Sequence, residues 1–195
     1  MVVVFAIIAL ISAFVLVRQS RFNSSTLLRS LAYSVALSVR QAQIYGAAVR
    51  GFTTGSTVTF ASSYGVYFAP TGSNPITRYT LFADYDNDGR HDTTPVDETV
   101  QSFDIRNGYS INKFCATKID GSMDCWNAGV TSVLNRIAIL FKRPNPDALF
   151  VTNIAGTSYV KACIQLNSPG EDTKTVSISS TGQISVNPQT GAGCL

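Results

Sequence analysis

The sequence predicts an α+β fold: a long N-terminal helix, membrane-embedded over its first half, packed on a C-terminal, mainly antiparallel β-domain. Three observations predict it. The stretch from Met1 to Val17 carries no charge. From Arg18 to Arg50 apolar residues recur at helical spacing, with no proline and with Gly46 as the first glycine of the chain. Beyond Gly51 the helical period gives way to alternation broken by turn residues. The chain thus divides into the transmembrane part of the helix at residues 1–17, its amphipathic continuation at 18–50 and a globular β-domain at 51–195.

The uncharged run lies at the lower limit for crossing a hydrocarbon core of ~30 Å. A secretory signal peptide is the rival reading, but it needs a basic start and a small-residue cleavage site with a break behind it. Here the helical pattern continues instead. Leu27, Leu31, Val35, Val39 and Ala42 fall on one face and are expected to meet the β-domain, while Ser34, Ser38, Arg40, Gln41 and Gln43 fill much of the rest. Arg18, Arg21, Arg29, Arg40 and Arg50 are the only charges before Gly51. A helix running unbroken past Arg18–Asn23 to about Gly46 is roughly 70 Å long. A small domain cannot bury that length, so its first half must seek lipid or other copies of itself.

Strands are expected at Thr57–Ala61, Gly65–Ala69, Arg78–Ala83, Val100–Arg106, Ile111–Ala116, Val133–Lys142, Ala148–Thr152, Tyr159–Leu166, Thr173–Ser179 and Gln183–Val186. Asn107-Gly108, Asp120-Gly121, Pro144-Asn145-Pro146, Ser168-Pro169-Gly170 and Thr181-Gly182 separate them. The connections are too short for helical crossovers, so most strands should pair antiparallel. Ile137, Ile139 and Phe141 are the candidates for the sheet face that receives the helix. All twelve Asp and Glu residues lie in this part, so the formal net charge of +3 resides in the helix. A basic, nucleic-acid-like composition is absent, and Lys142, Arg143, Lys161 and Lys174 are too scattered for a phosphate groove.

The four cysteines, Cys115, Cys125, Cys163 and Cys194, form no C-x-x-C pair, and His91 is the single histidine. Zinc needs closer ligand pairs as a rule. Two disulfides in an oxidising compartment fit better. Three pairings are open. Cys115–Cys125 across a hairpin turning at Asp120-Gly121, with Cys163–Cys194 tying the tail to a strand, is the expected one.

Asp84-Tyr85-Asp86-Asn87-Asp88-Gly89, followed by Arg90-His91-Asp92, is the sharpest local motif. Carboxylates at alternate positions before a glycine turn suit Ca²⁺, which takes several hard oxygens around one point. Asp84, Asp86, Asp88 and Asp92 are the candidate ligands. An EF-hand would place a glutamate where Pro95 stands, so the motif is incomplete, and a solvated acidic turn is the alternative. His91 beside Asp92 has no nucleophile motif near it, and no enzymatic function is expected. Trp126 and the tyrosines read as core or sheet-surface residues.

Several stretches resemble the GspH/FimT-type minor pseudopilins and minor pilins. MVVVFAIIALISAF is similar to that family's N-terminal membrane helix. LRSLAYSVALSVRQAQIYGAAV resembles its arginine- and alanine-rich helix end before the first strand. YTLFADYDNDGRHD resembles its strand and Asp/Asn/Gly-rich loop, and VSISSTGQISV its closing hairpin. Family precursors carry a short basic leader ending in glycine, then a phenylalanine and a glutamate. Met1-Val2-Val3-Val4 resembles the run just after that glutamate, as in a chain that starts late or is trimmed at its front. The resemblance implies a structural minor subunit of a type IV pilus or type II secretion pseudopilus, acting by helix-mediated assembly. It implies other pilin or pseudopilin subunits as partners through the N-terminal helix, and the inner membrane before assembly. The expected location is the bacterial cytoplasmic membrane, single-pass, with the β-domain outside the cytoplasm, then the pilus or pseudopilus. Arg18 and Arg21 oppose that orientation by the positive-inside rule. The cysteines and the Ser/Thr-rich domain agree with it. Some FimT-like proteins bind DNA through C-terminal arginines. The tail SVNPQTGAGCL has no Arg or Lys, and nucleic acid is not an expected partner. The alternative reading is a membrane-anchored surface binding module that never polymerises: an adhesin, or a calcium- or DNA-binding module.

Overall fold

The computed structural model describes residues 2–48, 50–54, 57–60, 63–70, 74–94 and 97–187, with the side chains of 15–23, 54, 57 and 59 left out of the description. Helix α1 spans Val2–Ala47. Within it Leu28, Ala32, Val35, Val39 and Ala42 are fully buried. Their spacing of four, three, four and three residues keeps one stripe in register with 3.6 residues per turn.

The strands that follow are β1 (Phe52–Thr54), β2 (Thr57–Thr59), β3 (Ser63–Phe68), β4 (Arg78–Asp84), β5 (Thr99–Asp104) and β6 (Ser110–Lys118). After these come β7 (Met123–Asn127), β8 (Ile137–Phe141), β9 (Ala148–Thr152), β10 (Tyr159–Asn167), β11 (Thr173–Ser179) and β12 (Ile184–Asn187). β1 and β2 make a two-stranded ribbon. The others form two five-stranded sheets, one in the order β12-β11-β10-β6-β7 and one in the order β5-β4-β3-β8-β9. Every strand pair is antiparallel. The β6–β7 and β11–β12 hairpins close through short turns, in which Gly121 and Gly182 supply the positive φ. Helix α1 contacts β3, β8 and β4 of one sheet and β11, β12 and β10 of the other. A single apolar cluster joins its buried stripe to Val66, Phe68, Ile137, Ile139 and Phe141 on one side, and to Ile164, Leu166, Val176 and Ile178 on the other. Gln43 fastens the joint: its Nε2 donates to the carbonyl oxygens of Pro146 at 2.9 Å and Gly182 at 3.1 Å.

This architecture corrects the expected fold class. The fold is mostly β, built from two antiparallel sheets, and no long apolar helix lies along one β-domain. The portion of α1 from Leu28 onward is held between the two sheets, while Val2–Phe14 is exposed. The membrane expectations are corrected as well. Among the described residues no helix is long and apolar enough to cross a membrane. The transmembrane segment, the single-pass location and the membrane-protein and pilin descriptions tied to them are therefore not supported.

The helix face differs from the expected one at its first two turns. Val35, Val39 and Ala42 are fully buried and Leu31 is partly buried against the core, but Leu27 is 45% exposed and Leu28 takes the buried place. Leu27 stands eight residues before Val35, which leaves it about 80° off the stripe; Leu28, seven residues before, is off by only about 20°. The strand expectations missed β1 and β7 and began β8 four residues early. Met123–Asn127 shows no clean alternation of apolar residues. Its burial is intermediate except at Trp126.

Candidate functional site

The acidic loop leaves β4 at Asp84 and returns to β5 at Thr99. It folds over the outer face of the β5-β4-β3-β8-β9 sheet, where Phe82, Ala138 and Leu140 form a second apolar cluster with Tyr67 and Val151. Asn87 and Gly89 both take positive φ. Gly89 is pressed onto Val151, whose Cγ2 would stand 2.8 Å from an added Cβ. That closeness explains why a glycine sits there.

Each carboxylate has hydrogen bonds of its own. Asp84 is buried and accepts from Ser63 Oγ at 2.7 Å and the Gly89 amide at 3.2 Å. Asp86 accepts from the Asp88 amide at 3.1 Å, and Asp88 from the Arg90 amide at 2.7 Å. Glu98 is buried beneath the loop and accepts from the amides of Tyr85 at 2.7 Å and Asp92 at 3.0 Å. Burial raises the pKa of Asp84 above the ordinary carboxylate range, with the negative charges of Asp86 and Asp88 adding to the shift, against the pull of Ser63 and Gly89. Glu98 is raised by the same desolvation, opposed by its two amide donors.

Of the four candidate calcium ligands the structure brings three together. One carboxylate oxygen from each of Asp84, Asp86 and Asp88 lies within 4.8 Å of the others, and Asp92 is outside that group. Such a set can face a hard cation. It is also complete as a hydrogen-bonded turn, because every one of the three already accepts a donor. Glu98, which is not among the candidate ligands read from the sequence, braces the loop from beneath. Its two bonds span the loop from Tyr85 to Asp92, and only proximity in the fold could reveal that.

His91 is placed by packing. Its ring lies over Tyr67 and Phe82, at centroid distances of 5.5 and 5.6 Å, and its Nε2 is 2.8 Å from Thr99 Oγ1. Burial lowers its pKa, while Asp97 and Asp92 act in the opposite sense. The group pins the loop to the sheet.

Cys115 and Cys125 stand directly opposite in the β6–β7 pair and are joined, with S–S 2.04 Å and Cα–Cα 4.1 Å. Gly121, at the turn between them, has φ +85°. Cys163 faces Cys115 from the other neighbouring strand and is itself disulfide-bonded. Its expected partner Cys194 lies outside the described residues.

A different surface is set by α1. Val2, Phe5, Ile8, Leu10, Ile11 and Phe14 are all exposed. Lower down, Tyr33, Leu37 and Ile44 are exposed too. These three fall within about 40° of one another on the helical wheel, and Tyr33 is about 160° from Val35, on the side away from the sheets. The helix therefore shows apolar side chains outward as well as inward.

Comparison with known protein families, curated proteins and solved structures found no match to this chain.

Proposed function

We propose that this protein is a non-enzymatic structural subunit, which assembles with other subunits through its N-terminal helix. One observation carries the reading: α1 is anchored between two sheets from Leu28 onward, yet leaves the apolar side chains of Val2–Phe14 exposed. Burying one large apolar side chain is worth about 1.5–3 kcal/mol, and exposed apolar patches of this extent mark association sites. Tyr33, Leu37 and Ile44 extend that surface along the domain. The anchored end supplies rigidity, so a partner helix meets a preformed surface rather than a chain that must first be ordered.

The test is sedimentation of the full-length chain over a range of concentrations, beside Phe5→Asp/Ile8→Asp. The wild type should form concentration-dependent assemblies and the double variant should not, while the melting transition of the two-sheet domain is the same in both. A wild type that stays monomeric at every concentration, alone and with other subunits of the same kind, would overturn the reading.

A further inference from the structure

A cavity of about 340 Å³ opens on the outer face of the second sheet, where β3 ends and β4 begins. Tyr67 and Thr80, directly opposed in the β3–β4 register, form its floor. Asn74, Pro75 and His91 of the acidic loop line it too. Arg78 stands two residues before Thr80, and its Nε is 2.6 Å from Asp104 Oδ1 across the β4–β5 pair.

The lining is amphipathic in a specific way. Tyr67 gives an aromatic surface with Pro75 beside it. The hydroxyls of Tyr67 and Thr80 and the side-chain amide of Asn74 have no hydrogen-bond partner among the described residues. Thr80 is buried as a residue and lines the cavity, so the cavity is where its hydroxyl can find a partner. Nor does the lining carry an unpaired ionic charge. Arg78 is matched by Asp104.

We propose that this cavity binds the neutral hexopyranose ring of a carbohydrate. A pyranose has an apolar C–H face, which suits the Tyr67 ring, and a rim of hydroxyls that both donate and accept. Thr80, Asn74 and the Arg78–Asp104 pair supply that mixture, with planar groups able to engage two adjacent hydroxyls. The volume sits at the low end of small-molecule sites, roughly 300–1,000 Å³, the size of one or two sugar rings rather than a long chain. An anion would find no unmatched cation in the lining, and a purely apolar ligand would leave Thr80 and Tyr67 without partners. This inference is independent of the assembly reading. It deepens the alternative of a surface binding module.

The probes are methyl gluco-, galacto- and mannopyranoside, titrated one at a time at millimolar concentration into the full chain and followed by amide chemical shifts. Sodium glucuronate is the charged comparison. At least one neutral glycoside should give saturable shifts centred on Tyr67, Thr80 and His91. Thr80→Val, which keeps side-chain shape and removes the hydroxyl, should weaken binding severalfold with an unchanged melting temperature. Arg78→Gln should do the same, and keeps the test decisive should Thr80→Val fail to fold. The proposal is overturned by any of three results: no saturable shift with all three glycosides, shifts centred elsewhere, or binding of glucuronate alone. Binding by Thr80→Val and Arg78→Gln as tight as wild type would overturn it too.

Discussion

Gly46 lies directly against the backbone of Phe141: a Cβ added at Gly46 would stand 2.8 Å from the Phe141 carbonyl carbon and nearer still to its oxygen. This contact sets how closely α1 approaches β8. On an isolated helix, Gly→Ala stabilises by roughly 1 kcal/mol. Here the methyl group meets backbone, which cannot rotate away, and overpacking of this kind costs about 1–3 kcal/mol. Gly46→Ala should therefore lower the urea midpoint of the domain despite its helix propensity. A raised midpoint would mean that the helix and β8 are further apart than described.

Gln43 should be among the most costly polar residues to remove from α1. Its side chain is buried and donates to both Pro146 and Gly182, and its Oε1 accepts from Arg40. Gln43→Leu keeps the bulk but strips two carbonyls of their donor, at a penalty of about 1–3 kcal/mol. Arg40→Ala removes only the exposed partner and should cost less than Gln43→Leu. The comparison is made by equilibrium denaturation of the two variants beside the wild type, and equal midpoints for all three would refute the clamp.

The register of the helix predicts a contrast between neighbours. Leu28→Ala should destabilise by about 2–5 kcal/mol, as for buried leucines generally. Leu27→Ala, at an exposed site, should change stability by less than about 1 kcal/mol. The reverse order would restore the stripe beginning at Leu27.

His91 makes stability depend on pH in a defined sense. Its folded pKa is lowered by burial from the ordinary 6.5, so the unfolded chain takes up the proton first. The stabilisation it contributes is present above about pH 6.5 and is lost as pH falls through that value toward the lower, folded one. Asp84 and Glu98, with raised values, act oppositely: the cost of their burial eases as they protonate. His91→Phe retains ring packing on Tyr67 and Phe82 and removes the titration. Between about pH 7 and pH 5 the wild type should lose more melting temperature than His91→Phe does. Parallel curves would show that His91 does not hold the loop.

What the sequence determined by itself is local. The helical period through Val35, Val39 and Ala42 and the alternation of Val160 to Leu166 are statements about which side of an element is apolar, and neighbours along the chain decide that; the first turns, read from Leu27, came out one residue off, with Leu28 buried instead. The Asp120-Gly121 turn placed Cys115 opposite Cys125, because a hairpin of that length admits few registers. The tertiary structure alone decided what met those faces. That α1 is shared between two sheets depends on strand order, which no local period encodes. That Asp92 stays outside the carboxylate group while Glu98 braces the loop depends on its path over Val151. The exposed helix from Val2 to Phe14 shows the same division. Its apolar character is written in the chain, but the pattern alone could not tell lipid from a partner subunit, since both accept the same side chains.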